Sequence, residues 1–267
     1  MKLHFDSNQE YQWDAIKSIT DIFEGQPLNS GDFEFTTSNA GALLSENGFG
    51  NNLTLSAEQV LENVKAIQKR NEITNSVEEL QGMNFSVEME TGTGKTYVYL
   101  RTVYELNKLY GFKKFVIVVP SVAIREGVLK NLQITHEHFQ SLYDKTSINF
   151  DIYDSKKVSN LRGFSSGNAI QVLVINIDSF AKDENIINKP NDKLTGKKPI
   201  EFIQSTKPIV IVDEPQNMET GIRKKAIQNL EPLCTLRYSA THTNLYNLMY
   251  SLNPVKAYDL GLVKQIE

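Results

Sequence analysis

From Asn84 onward, apolar residues of this chain fall into short, dense runs: FSVEM (85–89), FVIVV (115–119), INFDIY (148–153), QVLVINI (171–177), IVIV (209–212) and TLRYSA (235–240). These runs lack clean alternation of polar and apolar positions, the texture of strands covered on both faces. Between them, over 95–110, 123–133 and 220–229, apolar positions recur every three or four residues and predict helices. Strand and helix patterns in alternation predict an α/β fold with a mostly parallel central sheet flanked by helices. In such sheets ligands bind beyond the carboxyl ends of the strands, so the residues that follow each run are the place to look for chemistry.

Upstream the texture changes twice. Trp13, Ile16, Ile19 and Phe23 stand at helical spacing in NQEYQWDAIKSITDIF (8–23) and predict an amphipathic opening helix. From Gly25 to Asn52 the chain is rich in Gly, Ser and Asn, which reads as a long irregular insertion containing a short strand at Phe33–Thr37. Ser56-Ala57-Glu58-Gln59 has capping-box spacing ahead of Val60, Leu61, Val64 and Ile67, so a helix is expected to about Arg70. The division expected is 1–24 as an N-terminal helix, 25–80 as an insertion and 81–267 as the core domain.

Charge and cysteine content narrow the class. The 267 residues carry 28 Lys+Arg against 32 Asp+Glu, a net charge of −4, with 22% charged. A disordered polyelectrolyte is excluded, and any nucleic-acid contact must be local rather than spread over the surface. Cys234 stands alone, so no intramolecular disulfide forms, and it reads as a buried thiol suited to a reducing cytoplasm. The first residues hold no apolar signal segment, and no run approaches the roughly 18 apolar residues that span a bilayer, so a cytoplasmic location without membrane contact is expected. His4, His136, His138 and His242 lack metal-ligand spacing, and His136 and His138 read as loop or helix-surface residues. Basic clusters at Lys113-Lys114, Lys156-Lys157, Lys193 with Lys197-Lys198, and Arg223-Lys224-Lys225 read as solvated faces.

Three strand ends carry chemistry. After FSVEM comes Glu90-Thr91-Gly92-Thr93-Gly94-Lys95-Thr96, followed by a helical pattern. Glycines let successive backbone N–H groups curl around phosphate oxygens, the helix N-terminus adds partial positive charge, and Lys95 reaches the β and γ phosphates. The hydroxyl of Thr96 suits Mg²⁺, which prefers oxygen ligands. The strict pattern has Gly where Met89 stands. After IVIV, Asp213-Glu214-Pro215-Gln216 sets two acids at the exit of a buried strand, costly unless cations or donors meet them. Asp213 is read as a Mg²⁺ holder and Glu214 as the group that orients the attacking water. Ser239-Ala240-Thr241 ends the last run, where small hydroxyls can bond the acidic pair and report the phosphate state, so Gln216, Ser239 and Thr241 form a coupling set.

The order M-E-T-G-T-G-K-T, V-V-P-S, D-E-P-Q, S-A-T resembles the first RecA-like P-loop NTPase domain of superfamily 2 helicases and translocases. Within that group, METGTGKTYVYLRTVYELNKLYGFKKFVIVVPSVAIREGV, VIVDEPQNM and LRYSATH look like the restriction (Res) subunit of type III restriction-modification enzymes, from YQWDAI to the final GLVKQIE. The resemblance implies an ATP- and Mg²⁺-dependent motor of a type III site-specific deoxyribonuclease, acting on DNA with a modification methyltransferase (Mod) subunit. It assigns Gln12 to adenine recognition, whose amide can donate and accept at the N6 and N7 edge together. Thr91 to Thr96 would line the nucleotide. Ser121 and Arg125 would contact the DNA backbone, Arg125 alternatively being a solvated helix residue or ion-pair partner. Asn176 and Ser179, at a further strand end, could face the same track. The resemblance also implies a second RecA-like domain and a nuclease domain beyond Glu267. A different superfamily 2 enzyme, a type I restriction motor or a non-catalytic nucleotide-binding scaffold remain alternatives at this stage.

Overall fold

The computed structural model describes residues 5–28, 49–74 and 76–263. The strand expected at Phe33–Thr37 lies outside the described residues. Among the described residues seven strands form one sheet: β1 (Asn84–Met89), β2 (Lys114–Val119), β3 (Ile148–Ile152), β4 (Ile170–Asn176), β5 (Ile209–Asp213), β6 (Cys234–Ser239) and β7 (Leu248–Leu252). Their spatial order is β3-β4-β2-β5-β6-β1-β7, and every pairing is parallel. The helices are α1 (Glu10–Thr20), α2 (Ala57–Arg70), α3 (Lys95–Tyr110), α4 (Val122–Leu142), α5 (Asn160–Ser166), α6 (Pro199–Gln204), α7 (Gly221–Gln228) and α8 (Pro254–Asp259). The α/β class with a parallel sheet between helices is therefore as the runs predict.

The unbroken apolar runs have a direct cause. Phe115, Ile117 and Val119 of β2 face a core shared with α1, α2, α3 and α4, while Val116 and Val118 face a second core shared with α5, α6 and α7. β5 divides in the same way, Ile209 and Ile211 to one side, Val210 and Val212 to the other. A strand with helices on both faces cannot alternate.

At β6 and β1 the second face turns polar: Ser86, Thr235, Arg237 and Ser239 are buried there, beside Leu236 and Val87 of the first face. The 241–247 connection covers this side, with Tyr246 N donating to Ser86 Oγ at 3.0 Å and His242 Nε2 lying 3.0 Å from the Val87 carbonyl.

α4 runs nine residues past the predicted end at 133. Its buried positions Val128, Leu132, Thr135 and Phe139 keep helical spacing through a stretch whose other residues are mostly polar. At α2 the predicted box is complete, Gln59 N donating to Ser56 Oγ and Ser56 N to Gln59 Oε1. Elsewhere Asn51 and Gln26 fasten the chain on either side of 29–48. Asn51 Oδ1 accepts from Lys113 N and Lys114 N, and its Nδ2 donates to the carbonyls of Lys114 and Lys207. Gln26 donates to the Asn52 carbonyl and accepts from Thr54 N.

Candidate functional site

β1 ends at Met89 and α3 begins at Lys95, so residues 90–94 are a tight loop at the carboxyl edge of the sheet. Gly92 has φ +84° and Gly94 φ +92°, backbone that only glycine adopts freely. Gly94 also meets Gln12: an added Cβ would lie 2.6 Å from Gln12 Nε2, so a side chain here would displace the Gln12 amide as well as strain the backbone. Within the loop, the Thr93 hydroxyl donates to the Glu90 carbonyl at 2.6 Å and Thr91 N to Glu90 Oε1 at 2.7 Å.

β6 lies between β1 and β5, so the end of Ser239-Ala240-Thr241 falls between the loop and the acidic pair. Lys95 Nζ is 3.1 Å from Glu214 Oε1. Gln216 Nε2 donates to Glu214 Oε2 at 2.7 Å, and the Ser239 hydroxyl lies 2.8 Å from Gln216 Oε1 and 3.1 Å from Glu214 Oε2. Thr241 N in turn donates to Ser239 Oγ at 3.0 Å, while the Thr241 side chain is exposed. Glu214 holds a left-handed backbone with φ +55° and ψ +59°, a conformation that costs an ordinary residue about 1 kcal/mol or more.

The two acids are driven apart electrostatically. Burial, then the charge of Glu214, pushes the Asp213 carboxyl up to about 6. Burial acts upward on Glu214 too, but the Gln216 amide, Lys95 and Ser239 outweigh it and hold Glu214 below the usual carboxylate range. Tyr99 donates to Asp213 Oδ2 at 3.2 Å. Tyr99 sits one helical turn past Lys95, but nothing in its residue type marks it for this contact, and the sequence reading missed it.

Above the loop is a cavity of about 570 Å³. Gly92, Gly94, Lys95, Thr96 and Tyr97 form one wall, and Phe5, Asp6, Gln9, Tyr11 and Gln12 the other, with Asn131 of α4 at the side. Gln12 Nε2 and the Tyr11 hydroxyl both donate to the Thr93 carbonyl at 3.2 Å. Phe5, Asp6 and Asn131 carry no signal in the sequence for this cavity.

These elements, in this order and on this sheet, agree with a family model described as "Type III restriction enzyme, res subunit", which matches residues 7–244. The chain belongs to the type III restriction enzyme Res subunit family. It is 32% identical over 239 residues to the EcoP15I Res subunit of Escherichia coli and 31% identical over 239 residues to the EcoPI Res subunit of Escherichia phage P1. Each match covers 80% of this chain and 24% of the relative, so the chain spans about a quarter of their length. Among solved structures, a nuclease-deletion mutant of the Type ISP restriction-modification enzyme LlaGI in complex with a DNA substrate mimic aligns at 16% identity. That match has a TM-score of 0.44 and covers 74% of this chain and 20% of LlaGI.

In this Res-family chain the remaining sequence candidates are spread along the same sheet edge. Ser121 caps α4, its Oγ accepting from Ile124 N at 3.3 Å, and Arg125 pairs with the adjacent Glu126 at 2.9 Å. Asn176 accepts from Asp178 N, and Ser179 is half-buried. Two basic clusters depart from the expected solvated faces. Lys114 is fully buried, its Nζ donating to the carbonyls of Phe164, Ser165 and Gly167, because it fills the open end of α5. In the 223–225 cluster Arg223 pairs with Asp178 and Lys224 with Glu219, while Lys225 is exposed. Lys193 and Lys198 are exposed with Lys197 half-buried, and Lys156 and Lys157 are exposed, in line with solvated faces. His138 is half-buried on the face of α4, packing against Phe5, Tyr97 and Phe139, 2.9 Å from the Tyr97 hydroxyl. Cys234 is buried and its thiol is pushed up by burial. Among the described residues no helix is long and apolar enough to cross a membrane.

Proposed function

We propose that this chain is the ATP-binding and ATP-hydrolysing motor domain of a type III restriction Res subunit. The larger protein would use this turnover in the cytoplasm to translocate along or switch on DNA, and to cleave it together with a Mod methyltransferase subunit. The observation that carries the reading is the meeting of Lys95, Glu214, Gln216 and Ser239, from three sequence elements, within hydrogen-bonding distance at one sheet edge.

The chain's own residues divide the work. Gly92 and Gly94 keep Cβ atoms out of the loop, where backbone amides are to meet phosphate oxygens. Lys95 brings a cation to the same place. Glu214, kept ionised by its neighbours, orients the attacking water and takes up charge, work that is mostly positioning and electrostatics in phosphoryl transfer. Thr96 and Asp213 are the residues that would hold Mg²⁺. Among the described residues no cluster of three or more His, Cys, Asp or Glu offers a complete metal cage. A hydroxyl with one carboxylate fits an ion that shares its coordination between protein, phosphates and water. Mg²⁺ bound there supplies neutralisation of the phosphate charge. Gln12 reads the base, and Thr241 and Ser239 report the phosphate state along the edge towards Ser121 and Arg125, which meet the DNA backbone.

Calorimetric titration with Mg·ATP and steady-state turnover test the site. Lys95→Ala is expected to weaken binding by about tenfold or more, and Glu214→Gln to keep binding while turnover falls by about a hundredfold or more. Equal Mg·ATP binding by Lys95→Ala and the unsubstituted chain would overturn the assignment. Stimulation of turnover by duplex DNA over RNA is the expected signature of the substrate.

A further inference from the structure

Arg101 is 4% exposed, inside α3, and its hydrogen bonds go to Tyr143, Ser7 and Tyr97 and not to the phosphate loop. Burying a guanidinium is costly unless each face is compensated. Here one face lies 3.9 Å from the centre of the Trp13 ring. Nε donates to the Tyr143 hydroxyl at 3.1 Å, and that hydroxyl donates to Glu105 Oε1 at 2.6 Å, so a carboxylate balances the charge through one intervening group. Nη1 donates to the backbone carbonyl of Ser7 at 2.6 Å. It also lies 3.5 Å from the Tyr97 hydroxyl.

What these bonds hold is the cavity's second wall. Ser7 and Trp13 belong to the segment 5–13 that carries Phe5, Asp6, Gln9 and Gln12 into the cavity. On its inner side this segment is tied to the loop through the Tyr11 and Gln12 bonds to Thr93. On its outer side it is tied to α3 by Arg101 and by Phe5, which stacks on Tyr97 at 5.9 Å with the rings 14° apart. Residues 90–96 of the loop wall, by contrast, are set by β1 and α3 themselves; on that wall Arg101 reaches Tyr97, at 3.5 Å, and none of its hydrogen bonds is to the loop.

We propose that Arg101 is a positioning residue for the nucleobase: it seats the Phe5–Gln12 segment so that the base half of the nucleotide, and not its phosphates, finds a preformed wall. This rests on the nucleotide reading given above. Releasing the segment lowers the fraction of molecules with the wall in place, and apparent affinity falls by that fraction. A competent fraction of about a tenth would raise the apparent Kd for ATP about tenfold, with no change for a ligand that has phosphates only.

The test titrates the full chain with three probes: Mg·ATP, Mg·GTP and magnesium tripolyphosphate, which lacks a base. Arg101→Met is expected to weaken ATP about tenfold and leave tripolyphosphate unchanged. Arg101→Lys keeps the helix and the charge but loses the planar fork, and guards against a misfolded variant. It is expected to fall between the two, with an unchanged unfolding midpoint and a reduced preference for ATP over GTP. Unchanged ATP affinity in both variants, or equal loss of ATP and tripolyphosphate in Arg101→Lys, would overturn the proposal. Failure of the underlying reading looks different: Lys95→Ala would then leave tripolyphosphate and ATP binding as they are.

Discussion

Glu214 shows how a single residue can be held against its own preference. Its left-handed backbone is strained, its carboxylate is half-buried, and it is kept ionised only by the groups around it. Glycine would remove the backbone strain, and this gain offsets the loss of the mostly buried ion pair with Lys95. Glu214→Gly is therefore expected to leave the unfolding midpoint close to that of the unsubstituted chain while ATP turnover is lost, the trade expected where a residue serves a reaction rather than the fold. Thermal unfolding read beside turnover checks both halves. His242 illustrates the opposite case, a titratable group held for structure. Burial pushes its pKa below the ordinary 6.5, even though the Val87 carbonyl and the Glu88 charge act upward. The folded chain thus holds the ring neutral, and unfolding takes up a proton once the pH drops below 6.5. The stability this contributes is complete above that pH and is lost as the pH falls further. His242→Gln can still donate to Val87 but has no proton to take up, so its unfolding midpoint should vary less than that of the unsubstituted chain between pH 7 and pH 5.

Elements are held in place by side chains that bond to backbone, and Asn51 is the clearest instance. It is 7% exposed and makes four backbone bonds, two accepted and two donated, joining the start of β2 to the Lys207 turn before β5. Asn51→Ala leaves Lys113 N and Lys114 N without that acceptor. A loss of about 2–3 kcal/mol is expected in denaturant unfolding, with little effect on Mg·ATP affinity in the chain that remains folded. How far such elements can be read from sequence depends on what covers them. β2, β4 and β5 are sandwiched between two cores, so their apolar runs are unmistakable. β7 escaped notice because it is a sheet edge of five residues with the polar Ser251 inside it, and α5 and α6 because one or two turns are too short for a periodicity. The end of α4 was missed for a related reason: only four of its twenty-one positions are buried, so its polar stretches hide the stripe.

At the scale of the whole molecule, the legible part of the candidate site is the part that is local in sequence. The loop at 90–96, the acids at 213–214 and the triplet at 239–241 each announce themselves by residue type and by following an apolar run. What supports them does not, because Ser7 and Arg101, or Tyr99 and Asp213, are distant in the chain and meet only through the fold. Arg237 is a further support of this kind. It points from the middle of β6 to the polar face of the sheet and is 4% exposed. There it pairs with Glu219, just past the acidic turn, at 2.9 Å and lies 4.7 Å from the centre of the Tyr246 ring in the connection to β7. Glu219 also holds Lys224 of α7 at 2.7 Å and accepts from Asn244 at 2.9 Å. One buried pair therefore stitches the acidic turn, α7 and the cover over β1 to the central strand. Removing one partner of a buried pair strands the other, so Arg237→Met and Glu219→Gln should each cost about 3 kcal/mol. Replacing both together should cost clearly less than the sum, since no stranded charge is left. A double-mutant cycle read by denaturant unfolding measures the difference. Additive losses would mean that the two residues stabilise the chain separately, and that the acidic turn is fixed by its own backbone and not by this stitch.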